Sequence, residues 1–149
     1  MSTYTQLLVH FVFGPYRREP VLWRDGRAAL FRYITGVVQN HHCKMLQING
    51  VEDHLHFFAG MSPAVAVAHL VKDVKLASSD WLKETGALPK FSGWQDGYAA
   101  FSVSHAQKDA VIDYIRRQEE HHGKMTYLDE YWQLLQDAGI FVQKEWLER

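Results

Sequence analysis

The sequence predicts an α/β (α+β) chain with a ferredoxin-like split β-α-β sheet and extra C-terminal helices. Three observations predict it. Segments of β-prone and helix-periodic residues follow one another in the order β-α-β-β-α-β, with further helical segments after them. Both internal helices carry an apolar stripe, which one face of a four-stranded sheet would bury. With 149 residues and 47% hydrophobic content, the chain is long enough for one core and too short for two, so residues 1–149 are read as a single domain.

The elements follow in order. Thr5 to Phe13 is a continuous β-prone run stopped by Gly14-Pro15, which predicts a buried central strand. From Asp25 to His42, Leu30, Ile34 and Val37 recur at helical spacing with Phe31 and Val38 beside them. A second strand is expected from Cys43 to Asn49, closed by Gly50, and a third from Asp53 to Gly60 after a tight connection. Ser62-Pro63 has the chemistry of a helix start: serine caps free amides, and proline in the first turn gives up no needed hydrogen bond. The helix expected there aligns Ala66, Leu70, Val74, Ala77 and Trp81, and turns Lys72 and Lys75 outward.

Residues 85 to 97 read as a loop, punctuated by Gly86, Pro89, Gly93 and Gly97. Tyr98 to Ser104 regains β propensity as a fourth strand. Ser104 and Gln107 have capping-box spacing, and the helix beyond them, with Val111 and Ile115 inward, is expected to run to about His122. A last helix is expected from Tyr127 to Ala138, before Gly139. Two helices cover one sheet face in this arrangement. The other face stays bare unless the later helices, nucleic acid or a second subunit lies on it.

Cys43 is the single cysteine, so no internal disulfide framework exists, which fits a reducing cytoplasm. No apolar run reaches the roughly 18 residues of a membrane span, and the first residues lack a signal-peptide pattern, so a soluble, cytoplasmic protein with no membrane association is expected. Sixteen Lys and Arg against seventeen Asp and Glu give a formal charge of -1, far from the basic balance of a nonspecific nucleic-acid binder. A local basic surface is still open to Arg17, Arg18, Lys72, Lys75, Arg116 and Arg117 if folding gathers them.

Two constellations carry chemistry. On a strand, side chains alternate, so His54 and His56 share a face and can reach a common divalent ion. An incidental structural pair fits the spacing equally well. Tyr114 and Gln118 lie four apart, hence on one helix face, where the amide oxygen of Gln118 can reach the same ion. Tyr114 reads as an aromatic flanking the Val111/Ile115 stripe or as a nucleophile. A phenol, with a reference pKa near about 10, needs a cation on the target phosphate for the second role. Trp94 and Tyr98, in a glycine-rich loop, read first as packing residues and second as platforms for an unpaired base.

Taken together, Asp53-His54-Leu-His56, Tyr114-Ile-Arg-Arg-Gln118 and His121-His122 resemble the HUH-type single-tyrosine transposases of prokaryotic insertion sequences, including the REP-associated tyrosine transposases. The resemblance extends to His10-Phe-Val-Phe13 with Tyr16-Arg-Arg18, Asn49-Gly50, Leu70 to Lys75, Phe91 to Tyr98 and Phe101 to Ser104. It implies His54, His56 and Gln118 as ligands of Mg2+ or Mn2+, and Tyr114 as the nucleophile that leaves a 5'-phosphotyrosine and a free 3'-hydroxyl. It also implies single-stranded DNA with hairpins as substrate and a homodimer, with the tyrosine helix of one subunit often completing the site of the other. Arg17, Arg18, Lys72, Lys75, Arg116 and Arg117 are then the expected phosphate contacts. Two other functions fit the same residues: a domesticated hairpin-specific single-stranded DNA endonuclease, and a noncatalytic nucleic-acid-binding module.

Overall fold

The computed structural model describes residues 1–147. Its four strands form one sheet in the order β2-β3-β1-β4, with every neighbouring pair antiparallel. β1 (Leu8–Phe13) lies centrally between β3 (His54–Gly60) and β4 (Ala99–Val103), while β2 (Lys44–Val51) forms a hairpin with β3. The strand order and the mixed α/β layering are those expected of the split β-α-β arrangement. β1 starts at Leu8 rather than Thr5, because pairing with both neighbours begins there, at Leu8↔Gly60 and Leu8↔Val103.

Alternation along the strands sorts the side chains into two unlike faces. Phe11, Phe13, Leu55, Phe57 and Ala59 point to one face, where they pack on Leu30, Ile34 and Val38 of α1 (Arg24–Asn40) and on Leu70, Val71 and Val74 of α2 (Val67–Thr85). His10, Val12, His54, His56 and Phe58 point to the other. That second face is covered by the chain's own later helices: α3 (Lys108–Arg116), α4 (Gln118–His121) and α5 (Tyr127–Asp137). A short α6 (Lys144–Leu147), which the sequence reading did not include, follows α5.

Four local expectations change. α2 begins at Val67, not at Ser62-Pro63, because the Ser62 hydroxyl accepts from the nearby Ala64 amide in a turn and caps no helix. Its buried stripe holds Leu70 and Val74 as expected, but Val71, Ser78 and Leu82 take the places given to Ala66, Ala77 and Trp81. Ser104 donates to the Gln107 side chain at 3.3 Å instead of capping a backbone amide, and a 3-10 turn over His105–Gln107 precedes α3. The helix expected to run on to His122 breaks at Arg117 (φ -95, ψ 22), and α4 starts afresh at Gln118.

Two glycines make room for the turn that leads into β3. A Cβ on Gly50 would stand 2.5 Å from the His54 carbonyl oxygen, and one on Gly14 would stand 2.4 Å from that of Asp53. Both are backbone collisions that no side-chain rotation relieves.

Candidate active site

β3 delivers His54 and His56 to the covered face, both fully buried, with ring centroids 5.1 Å apart. Each ring is oriented through its Nδ1. His54 donates Nδ1–H to Asp53 Oδ1 at 2.8 Å, and His56 Nδ1 pairs with His10 Nε2 at 2.8 Å. Such partners set which nitrogen a histidine presents to a metal. Both Nε2 atoms therefore point the same way, into the space between the sheet and α3–α5.

Tyr114 and Gln118 enter this space from the α3–α4 corner. Asn49 on β2 donates to the carbonyls of Ile115 and Arg116 at 3.1 and 3.0 Å, so the frayed end of α3 is fastened to the sheet beside the histidines. Buried Arg27 on α1 reaches Glu119 at 3.3 Å and fixes the start of α4 from the other side. Gln118 is thereby buried, with Oε1 3.2 Å from His54 Nε2. The Tyr114 ring meets that of His56 edge-on, with centroids 5.8 Å apart.

At the centre stands Glu130, on α5 and 2% exposed. Its Oε1 lies 2.9 Å from His54 Nε2, 3.1 Å from His56 Nε2 and 3.0 Å from His122 Nε2. Its Oε2 accepts from the Tyr114 hydroxyl and, at 3.1 Å, from Gln118 Nε2. Thr126, whose hydroxyl accepts from Asp129 N at 3.2 Å, caps α5 and places Glu130 in the first turn, where the helix dipole favours a carboxylate.

The electrostatics follow from burial. Desolvation pulls the His56 pKa down to about 4 and that of His10 down to about 3, so both rings are neutral near pH 7. His54 feels the same desolvation, but the carboxylates of Asp53 and Glu130 outweigh it and raise its pKa. Burial alone would raise Glu130; hydrogen bonds from His122, His54 and His56 hold it well below the usual carboxylate range. The Tyr114 phenol is pushed up, first by burial and then by the charge of Glu130. It is protonated at neutral pH, so a nucleophilic role would require the help of a cation.

The donor set fits a divalent ion. Ligand atoms of His54, His122 and Glu130 all lie within 4.8 Å of one another, with His56 Nε2 and Gln118 Oε1 adjoining them. Imidazole nitrogen with carboxylate and amide oxygen is a borderline-to-hard combination.

The structure thus brings Tyr114, His54, His56 and Gln118 together within one chain. Sequence reading missed Glu130 and His10, and gave His122 no specific place. Glu130 had a signal: three residues after Tyr127 and four before Leu134, it is the acid that falls on the apolar face of α5, while Asp129 falls off it. The cationic candidates form no single patch. Arg17 and Arg18 border a cleft of about 630 Å³ with Tyr127 and Tyr131, while Arg116 and Arg117 both pair with Asp113. Lys72 and Lys75 stand on α2, across the sheet, and Lys75 donates to the carbonyls of Gln95 and Gly97 at 2.8 and 2.6 Å. Trp94 is a packing residue, as expected: its indole donates to Ser78 Oγ at 3.0 Å and its ring meets Phe13 edge-on.

A paired-histidine strand facing a tyrosine helix on a split β-α-β sheet defines an HUH-type nuclease architecture. Residues 3–118 match the family model described as "Transposase IS200 like". The chain belongs to this family of single-tyrosine transposases. Its fold is similar to that of a transposase candidate from Deinococcus radiodurans R1, with TM-score 0.63 and 20% identity over 79% of this chain and 95% of that one. It is also similar to a REP-associated tyrosine transposase bound to a REP hairpin, with TM-score 0.61 and 15% identity over 84% of this chain and 76% of that one. None of the curated proteins matches the sequence. Among the described residues, no helix is long and apolar enough to cross a membrane.

Proposed function

We propose that this protein cuts and rejoins hairpin-bearing single-stranded DNA through a 5'-phosphotyrosine on Tyr114, with Mg2+ or Mn2+ held by His54, His56 and Gln118. One observation carries the reading. The Tyr114 hydroxyl and the Nε2 atoms of His54 and His56 converge on the two oxygens of a single carboxylate, which is the two-point geometry required of a phosphate caught between nucleophile and cation. When bound, the ion would polarise the scissile phosphate and offset its charge.

The chain's residues supply the rest. His10 and Asp53 hold the imidazoles in position through their Nδ1 atoms. A cavity of about 340 Å³, lined by Tyr114, His121, Lys124 and Glu130, gives DNA a route to the phenol. The Tyr114 oxygen attacks phosphorus and its proton passes to Glu130 Oε2, already its acceptor. The P–O3' bond breaks as the O–P bond to tyrosine forms, and the departing 3'-oxygen takes a proton from water. Attack by the 3'-hydroxyl of another DNA end reverses the step and rejoins the strands.

The REP hairpin held by the structural relative supports a hairpin substrate for this chain. Arg17, Arg18, Arg116 and Arg117 are proposed phosphate contacts on the site's side of the sheet, and Lys72 and Lys75 are proposed contacts for a hairpin that reaches round to α2. The active unit is proposed to be a homodimer, since two ends must be held for exchange and each chain has one nucleophile. Mixing a Tyr114→Phe chain with a His54→Ala/His56→Ala chain separates the two arrangements: restored cleavage means that the tyrosine serves the partner's site.

The deciding experiment incubates labelled hairpin DNA with the protein and Mg2+ or Mn2+ and resolves covalent adducts on a denaturing gel. Wild type is expected to form the adduct, and Tyr114→Phe to form none while keeping its fold and DNA binding. An adduct that persists in Tyr114→Phe rejects the assigned nucleophile.

A further inference from the structure

Resting on the metal-dependent reading above, we infer that Glu130 is itself a ligand of the divalent ion, binding through Oε1 while Oε2 holds the Tyr114 phenol. The segment after Gln118 is then an integral part of the active site. Residues 3–118 match the family model, so Glu130 and His122 come from outside the matched segment.

Charge is the first argument. Glu130 is 2% exposed, and the ion pairs it makes are all with imidazoles: His54, His56 and His122. A buried carboxylate surrounded by histidines is a costly arrangement unless a full positive charge balances it. A divalent ion where these groups meet would supply that charge.

Lone-pair geometry is the second. The Asp53 carboxylate accepts only, so the proton of His54 sits on Nδ1, 2.8 Å from Asp53 Oδ1. With Nδ1 so engaged, Nε2 is the atom His54 presents to a metal, and it stands 2.9 Å from Glu130 Oε1. The same oxygen lies 3.1 Å from His56 Nε2 and 3.0 Å from His122 Nε2, so these nitrogens surround one point.

The bridge has a functional consequence. A carboxylate with one oxygen on the metal and the other on the phenol couples the position of the nucleophile to occupancy of the metal site. His54, His56, Gln118 and Glu130 would leave a six-coordinate ion two positions, room for phosphate oxygens.

Two measurements test this. Wild-type crystals soaked in Mn2+ are expected to show an anomalous peak bonded to His54 Nε2, His56 Nε2 and a Glu130 oxygen. By calorimetry, Glu130→Gln, which keeps the side chain's shape, is expected to bind Mn2+ at least about tenfold more weakly than wild type. A peak held by the histidines with no Glu130 oxygen in contact overturns the inference and leaves the proposed function standing. Wild type that binds no Mn2+ in crystal or calorimeter, like the His54→Ala/His56→Ala control, overturns both. The soak uses the native protein, so it decides the matter even if Glu130→Gln does not fold.

Discussion

The two faces of one strand differ more than any other pair of regions in this protein. Along β3, Leu55, Phe57 and Ala59 enter a largely apolar layer under α1 and α2, while His54 and His56, one residue out of step, enter a polar network under α3–α5. Burial is equally complete on both sides, with Leu55, Phe57, His54 and His56 all at 0% exposure. What differs is the kind of constraint. The apolar face needs volume and shape, which neighbouring residues can share. The histidine face needs specific atoms at specific distances, and every donor or acceptor left without a partner there carries a desolvation cost.

Substitutions on either side test the contrast. Phe57→Ala should have the largest effect on stability, a loss of about 3–5 kcal/mol in urea unfolding. Phe57 stacks on Phe11 at 4.4 Å and meets Phe13 edge-on. Its neighbour His56→Ala should reduce metal-dependent cleavage by more than the roughly 10–100-fold typical of losing an outer partner. Chelation of the ion should likewise stop cleavage without unfolding, since the apolar face stands without it; circular dichroism with and without chelator checks this. Matching loss of structure in both cases would erase the distinction between the faces.

His10→Phe sharpens the comparison further. It keeps a ring in place but removes the nitrogen 2.8 Å from His56 Nδ1. A fall of about 10–100-fold in Mn2+ affinity or cleavage rate is expected, with little change in stability. Wild-type affinity in this variant would show that His10 is only filler.

The smallest effect belongs to a polar pair on the helical side. Hydrogen bonds to Val37 and then Asp73 raise the His41 pKa above 6.5, and that to His41 lowers the Asp73 pKa below 3.8, with His69 also 3.2 Å from Asp73. A lowered acid stabilises above its unfolded pKa and loses that as pH falls; a raised base stabilises below its unfolded pKa and loses that as pH rises. Asp73→Asn should therefore destabilise most between pH 3.8 and 6.5 and progressively less above neutrality. Melting temperatures across that range check it, and a pH-independent difference would remove these groups as the cause.

The same contrast explains what could be read from the sequence. Strand alternation placed His54 and His56 together, and the four-residue spacing placed Tyr114 with Gln118, because both patterns are local. Glu130 meets His54 across 76 positions, and no local periodicity encodes that meeting. The break at Arg117 was hidden for a related reason: Asn49 on β2 satisfies the carbonyls that a continuing helix would have used. Ser62-Pro63 misled in the opposite direction, since a sound capping chemistry was spent on a turn five residues ahead of the helix.

Gly14 and Gly50 carry no side chain at all, and each occupies a place where even one added carbon would strike the main chain leading into His54. Alanine at either glycine would push aside the main chain that carries His54, so a related sequence with His54, His56 and Tyr114 all intact can still lose the site's geometry through two positions that bear no side chain.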